Sequence, residues 1–188
     1  MTKMFLMAAA MLAAVSLSAK ELKVLMIGNS FSQSVLAYLP KIVKAEKEHK
    51  LEIAQMMIGG CTLNRHIAEL KKAEDDPNYK PYSTNWPKRR KVNLPEMIKA
   101  AKWDIVTIQQ GSPESWNKSK TQPAADELIA YIRKNAPQAE IVVHQTWAYR
   151  NGDGRISGAK PDWGFDQNGM YDRLTENYTE LAKKHNFR

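Results

Sequence analysis

The 188 residues are 43% hydrophobic and 26% charged, which excludes a disordered chain and allows one domain with a sizeable core. The formal charge is +8, and Lys88-Arg89-Arg90-Lys91 concentrates part of it. No helix-turn-helix or RNA-binding aromatic pattern accompanies that run, so it reads as a solvated loop and no nucleic-acid partner is expected. Cys61 is the single cysteine, which excludes an internal disulfide and suits a small buried apolar residue.

Residues 1–19 read as a signal peptide. Lys3 supplies a positive start, Met4 to Val15 a short apolar run, and Ser16-Leu17-Ser18-Ala19 the small residues that a signal peptidase accepts. The run is shorter than the roughly 18 apolar residues of a spanning helix. An exported protein, periplasmic or secreted, is therefore expected, with no stable membrane span after cleavage and a single domain over 20–188.

The domain opens with Leu22–Ile27, a strand of the kind buried on both faces, which stops at Gly28. Ser32 is placed to cap a helix in which Val35, Leu36, Leu39, Ile42 and Val43 recur at helical spacing, with Pro40 inside it. Leu51–Ile58 is a second strand ending in Gly59-Gly60, and Thr62 or Asn64 opens a second helix carrying Ile67 and Leu70. Asp75–Val92, with its prolines, Tyr79, Tyr82, Trp86 and the basic run, reads as a long loop. A short helix over Leu94–Lys102, a strand over Trp103–Ile108, a helix over Gln122–Asn135 and a strand over Glu140–Thr146 follow. Asn151–Gly169 is a glycine-rich loop, and Tyr171–His185 a last amphipathic helix.

Strand and helix alternating with short connections predict an α/β fold, a three-layer α/β/α sandwich around a parallel, flavodoxin-like sheet. Ligands of such sheets sit outside the carboxyl ends of the strands. The four strand ends read Gly28-Asn29-Ser30, Gly59-Gly60-Cys61, Gln109-Gln110-Gly111-Ser112 and His144-Gln145-Thr146-Trp147, each polar or glycine-rich after an apolar run. Gly28 permits a turn that a Cβ would hinder. That turn sets Ser30 at the start of a helix, where free N–H groups and the helix dipole stabilise negative charge. Acyl transfer needs a hydroxyl beside such donors; a plain helix cap suits the same serine equally well.

Val24-Leu25-Met26-Ile27-Gly28-Asn29-Ser30-Phe31-Ser32 resembles the first block of SGNH (GDSL-like) hydrolases. In particular it resembles an uncharacterised branch, a domain of unknown function, whose turn reads G-N-S-F-S. Ile58-Gly59-Gly60-Cys61-Thr62-Leu63 matches that branch's I-G-G-C-x-L block, Trp103–Gln110 its W-D-x-V/I-x-x-Q-Q block, and His144–Tyr149 its H-x-T-W-A-Y block. The resemblance spans essentially the whole domain. It implies a serine esterase or acyl hydrolase with Ser30 as nucleophile and the N–H groups of Ser30 and Gly60 as oxyanion donors. The side-chain donor, usually an asparagine, falls on Gln110, with Gln109 as the alternative. Asn29 stands where many relatives carry aspartate and is a candidate substrate contact. His144 either lines the pocket or is a satisfied histidine at the sheet edge. Trp147 and Trp116, with Tyr79, Tyr82 and Trp86, are candidates for a sugar-stacking rim, whereas Trp103 is expected in the core.

The family takes the serine's proton with the histidine of a D-x-x-H block near the C-terminus. The residues three before His49, His66, His144 and His185 are Glu46, Leu63, Ile141 and Ala182, so none of the four histidines fits. The expected reading is a fragment of a longer gene product, or a shortened relative without catalysis, that hydrolyses esters poorly by itself. Glu46 and His49 are expected in solvent, and His66 and His185 on helix surfaces. No metal or cofactor is expected, because no Cys/His cluster has ligand spacing and Gly152, Gly154 and Gly158 do not follow a strand as a phosphate loop does. Asp153 and Asp162 in that loop are weak material for an ion site. The substrate class is a small-molecule or glycan ester. A non-catalytic carbohydrate-binding relative is the alternative, and a flavodoxin-like nucleotide or phosphate binder is permitted by the same topology.

Overall fold

The computed structural model describes residues 21–157 and 163–187; the expected signal peptide lies outside them, as do Gly158 and Asp162. The elements, in chain order, are β1 (Glu21–Gly28), α1 (Ser32–Glu46), β2 (Lys50–Met57), α2 (Leu63–Asp75), β3 (Tyr82–Thr84), β4 (Arg90–Val92), α3 (Leu94–Lys99), β5 (Ile105–Ile108), α4 (Ser112–Ser115), α5 (Lys118–Asn135), β6 (Glu140–Val143), α6 (Gly154–Ser157) and α7 (Gln167–His185). They form one sheet in the order β4-β3-β2-β1-β5-β6. β2, β1, β5 and β6 are parallel, and β3 and β4 add an antiparallel edge.

Alternation along the strands divides the apolar side chains between two faces. Leu25, Ile27, Ala54, Met56, Val106, Ile108 and Ile141 face the main core with residues of α2, α3 and α5. Val24, Met26 and Ile53 form a smaller cluster on the other face, under Val35, Leu36 and Leu39 of α1. Trp103 is fully buried, and its indole N–H donates to the Met97 carbonyl.

Three readings change. Asp75–Val92 holds the β3–β4 hairpin rather than an unstructured loop. Strands of three residues are too short to print a period-two pattern on the sequence. The hairpin also turns its aromatic residues inward. Tyr82 is fully buried against His66, Trp86 packs edge-on to Trp103 with centroids 5.1 Å apart, and Tyr79 donates to the Glu69 carboxylate. None of these three therefore serves as a rim. In the basic run, Arg90 pairs with Glu96 and Lys91 reaches Ser83, leaving Lys88 and Arg89 exposed.

The histidines also move. His66 has no exposed surface; its Nδ1 lies 2.9 Å from the Tyr82 hydroxyl, and burial lowers its pKa to about 3. It falls on the α2 stripe with Leu63, Ile67 and Leu70, so the helix buries it with them. His185 is half-buried, with Nε2 2.6 Å from Asp126 Oδ1, on the seam between α7 and α5.

Helix starts shift for capping reasons. α5 begins four residues earlier than its apolar stripe, because the Asn117 side chain accepts from Lys120 N–H. α7 likewise begins at Gln167, where the Asp166 carboxylate accepts from Gly169 N–H. Ser32 is the first residue of α1 and not its cap. Among the described residues, no helix is long and apolar enough to cross a membrane.

Candidate active site

The carboxyl ends of β1, β2 and β5 converge on the turn that carries Ser30. Parallel pairing sets Gly28 beside Met57 and Ile27 beside Ile108, so the segments leaving these strands emerge side by side. Gly28 is needed there for closeness. A Cβ on it would lie 2.7 Å from Ser32 Oγ and 2.9 Å from Gln109 Oε1. Gly111 permits a second close approach, since its Cβ would lie 3.1 Å from the Cys61 carbonyl. Gly60 has φ +61°, in the left-handed region that favours glycine.

Asn29 is buried, and both ends of its amide are engaged. Its Oδ1 accepts from Phe31 N–H at 3.0 Å, and its Nδ2 donates to the Cys61 carbonyl at 2.9 Å and the Gln110 carbonyl at 3.4 Å. One side chain thus shapes the Ser30 turn and ties it to the two turns beside it. Asn29 builds the site and also borders the cavity beside Ser30.

The two glutamines do the same work on the two adjoining strand-to-helix turns. Gln109 Oε1 accepts from Asn29 N–H at 3.2 Å, while its Nε2 lies 2.9 Å from His144 Nδ1. Gln110 Oε1 accepts from Leu63 N–H at 2.9 Å and Gly111 N–H at 2.8 Å, while its Nε2 donates to Thr121 Oγ1 at 3.3 Å. Both are buried, and neither amide lines the cavity beside Ser30. The geometry therefore corrects the expected oxyanion role of Gln110 and of its alternative Gln109. Their donors face protein acceptors, because consecutive residues of an extended segment point to opposite sides and each finds a turn to hold.

Ser30 itself is exposed. It lines a cavity of about 250 Å³ with Asn29, Phe31, Gly60, Gly111, Ser112, Pro113 and Tyr149. Among the described residues, the N–H groups of Ser30 and Gly60 have no backbone partner, and both residues border this space. Ser112 and Tyr149 add side-chain hydroxyls that the sequence reading did not single out. Tyr149 ends the H-x-T-W-A-Y block, which is the signal that would have found it. Its ring lies under the Arg155 guanidinium, 3.6 Å from the centroid, and stacks on Trp163. Burial pushes its phenol pKa up, so it remains an O–H donor at neutral pH.

Trp147 is 56% exposed and packs edge-on to Phe31, a cavity-lining residue, with centroids 4.1 Å apart. Trp116 packs instead with Trp163 and Phe165. His144 follows β6 and does not line the cavity; burial lowers its pKa. Cys61 is buried, and burial pushes its thiol up to about 12, so it is an inert packing residue. Larger hollows of about 460 Å³ beside Arg133 and Phe187, and about 500 Å³ beside Ala73 and Asn93, place no nucleophile next to free amides. Among the described residues, no group of His, Cys, Asp and Glu side chains could hold a metal ion, and Asp153 is held by Arg155.

The architecture recurs in solved structures. A Bacteroides uniformis ATCC 8492 protein described as a DUF4886 family member superposes with a TM-score of 0.72 and 29% identity, over 89% of this chain and 65% of that one. This chain thus spans 65% of that protein's length. A Slackia heliotrinireducens protein provisionally described as an SGNH hydrolase gives a TM-score of 0.57 at 18% identity, over 89% and 77% of the two chains. An acetyl xylan esterase gives 0.55 at 15%, over 88% and 75%. Those last two superpositions show a shared fold alone, that of SGNH hydrolases. No curated protein matches the sequence. The model of the domain of unknown function DUF4886 matches residues 23–184, and the chain belongs to that family.

Proposed function

We propose that the chain carries the nucleophile of an exported SGNH-type ester hydrolase acting on small-molecule or glycan esters. Ser30 Oγ attacks the ester carbonyl, and the N–H groups of Ser30 and Gly60 receive the developing oxyanion. The observation that carries this reading is the exposed Ser30 hydroxyl bordering the same small cavity as Gly60, beside two unpartnered amides. The hydroxyls of Ser112 and Tyr149 are the side-chain donors available in that cavity. The cavity of about 250 Å³ suits a small acyl group, and the exposed Trp147 face suits the C–H face of a sugar. The acetyl xylan esterase among the fold relatives agrees with such a substrate.

The reading assigns the Ser30 proton to a D-x-x-H histidine, which the 188 residues do not contain. Turnover of an aryl acetate by this chain is accordingly expected to be slow. The test is a fluorophosphonate applied with imidazole as an external base, the adduct being located by mass spectrometry. Labelling is expected at Ser30 and lost in Ser30→Ala. If the parent chain and Ser30→Ala give the same outcome, the nucleophile assignment fails. The exposed Trp147 ring favours one second reading, a carbohydrate-binding relative that does not catalyse. It predicts saturable glycan binding that survives Ser30→Ala.

A further inference from the structure

The side chain of Gln109 lies between two groups of different chemical certainty. The Asn29 backbone N–H can only donate, so the Gln109 atom facing it at 3.2 Å is the carbonyl Oε1. The atom at the other end of the amide, 2.9 Å from His144 Nδ1, is then the NH₂ group, which can only donate. His144 Nδ1 must accept, so the ring is neutral and carries its proton on Nε2.

We propose that Gln109 and His144 are positioning residues: the amide bridge from neutral, Nε2-protonated His144 to the Asn29 N–H fixes the turn that presents Ser30. The missing Cβ of Gly28 makes the bridge possible, because a methyl group there would sit 2.9 Å from Oε1. The bridge ties the end of β1 to the end of β6 across β5, whose own pairing brings Ile27, Ile108 and Val143 level. It also removes Nδ1 as a base for Ser30, since that lone pair already receives the amide. Protonation would set an imidazolium N–H against an amide N–H. Burial opposes it in the same direction, and no charged side chain from any neighbouring element contributes to that shift. The tie is therefore present above the pKa of His144 and lost as pH falls through it.

The consequence for reactivity rests on the Ser30 reading above; the tautomer does not. Long-range ¹H–¹⁵N NMR of the 188-residue chain at pH 7.5 is expected to show His144 with an unprotonated Nδ1 and a protonated Nε2. An Nδ1–H tautomer overturns the proposal, whatever Ser30 does. Gln109→Glu offers only acceptors, so His144 is expected to move its proton to Nδ1 or to titrate at least one pH unit higher. An unchanged ring signal and titration in that variant also overturn it. In imidazole-assisted fluorophosphonate labelling, Gln109→Ala and His144→Ala are expected to slow modification of Ser30 on the order of ten- to a hundredfold. His144→Gln, whose carbonyl accepts from the same amide, should recover most of the rate. Parental rates in both alanine variants refute the positioning role, whereas a parent chain that never labels refutes the nucleophile and leaves the NMR result to decide the bridge.

Discussion

The first two strand-to-helix units share a plan and are held by different forces. Each runs from a parallel strand through a glycine-bearing turn into a helix. α2 buries Leu63, His66, Ile67, Leu70 and Ala73, and its neighbours α3 and α5 complete the main core. α1 buries Ser32 alone, leaving Tyr38 66% and Ile42 58% exposed. The helix that begins beside Ser30 is thus gripped less by the core than α2 is. Its turn is located by amides instead: Asn29 binds the Cys61 and Gln110 carbonyls, and Gln109 binds Asn29. Apolar packing resists volume changes but tolerates small sliding, whereas hydrogen bonds from fixed amides set direction and distance. A reactive hydroxyl needs the second kind of support.

The strongest way to break this contrast is to cut both helical layers alike. Leu128→Ala, in the fully buried face of α5, is expected to cost about 2–5 kcal/mol in urea denaturation. Leu36→Ala, half-buried on the inner face of α1, should cost about 1 kcal/mol. Equal losses would mean that the two faces are gripped alike. Gln110→Ala comes next, because it strips the acceptor from Leu63 N–H and Gly111 N–H, at a cost on the order of 2–4 kcal/mol. Labelling of the folded variant at Ser30 should stay within threefold of the parent. A hundredfold loss in a stable Gln110→Ala protein would instead make this amide a positioning group for the cavity, through its hold on Gly111 N–H.

The parallel sheet and the turns at its carboxyl edge were legible because buried parallel strands read as apolar runs, and each run stops at a polar or glycine turn. Ser30, Gly60 and Trp147 stand out in the sequence because those turns are short and their chemistry is local. The jobs of Gln109 and Gln110 were not legible. A glutamine after a strand has the same composition whether its amide faces a ligand or a neighbouring backbone, and only the third dimension brings Leu63, Thr121 and Asn29 within reach. His66 was partly legible: its spacing from Leu63 and Leu70 lies on the apolar stripe, but its polarity argued for the surface. Burial beside the Tyr82 hydroxyl resolves that conflict at the expense of its basicity.

That histidine gives the next effect in size. The unfolded chain protonates His66 near pH 6.5, whereas the folded chain holds it neutral down to about 3. Below pH 6.5 the unfolded state therefore binds the extra proton, and stability falls as pH falls toward 3, by up to about 1.4 kcal/mol per pH unit. Urea midpoints measured between pH 7 and pH 4 should show this slope, and His66→Phe should flatten it while losing some stability at pH 7 from the stranded Tyr82 hydroxyl. A slope unchanged in His66→Phe would assign the acid sensitivity to carboxylates such as Glu69, Glu96 and Asp126, where burial raises the pKa but hydrogen-bonding and charged partners lower it by more.

The smallest expected effect tests the exposed side of α1 directly. Tyr38→Ser and Ile42→Lys leave the helix and its inner contacts with Val24, Met26 and Ile53 intact, so each should change stability by less than about 0.5 kcal/mol. A loss of 2 kcal/mol from either would mean that this face is covered in solution, and the comparison between the two helices would then be one between a helix packed by its own chain and a helix packed by something else. If both substitutions are silent while Gln109→Ala still slows modification of Ser30, the nucleophile turn is held by its amide ties and not by the helix that follows it.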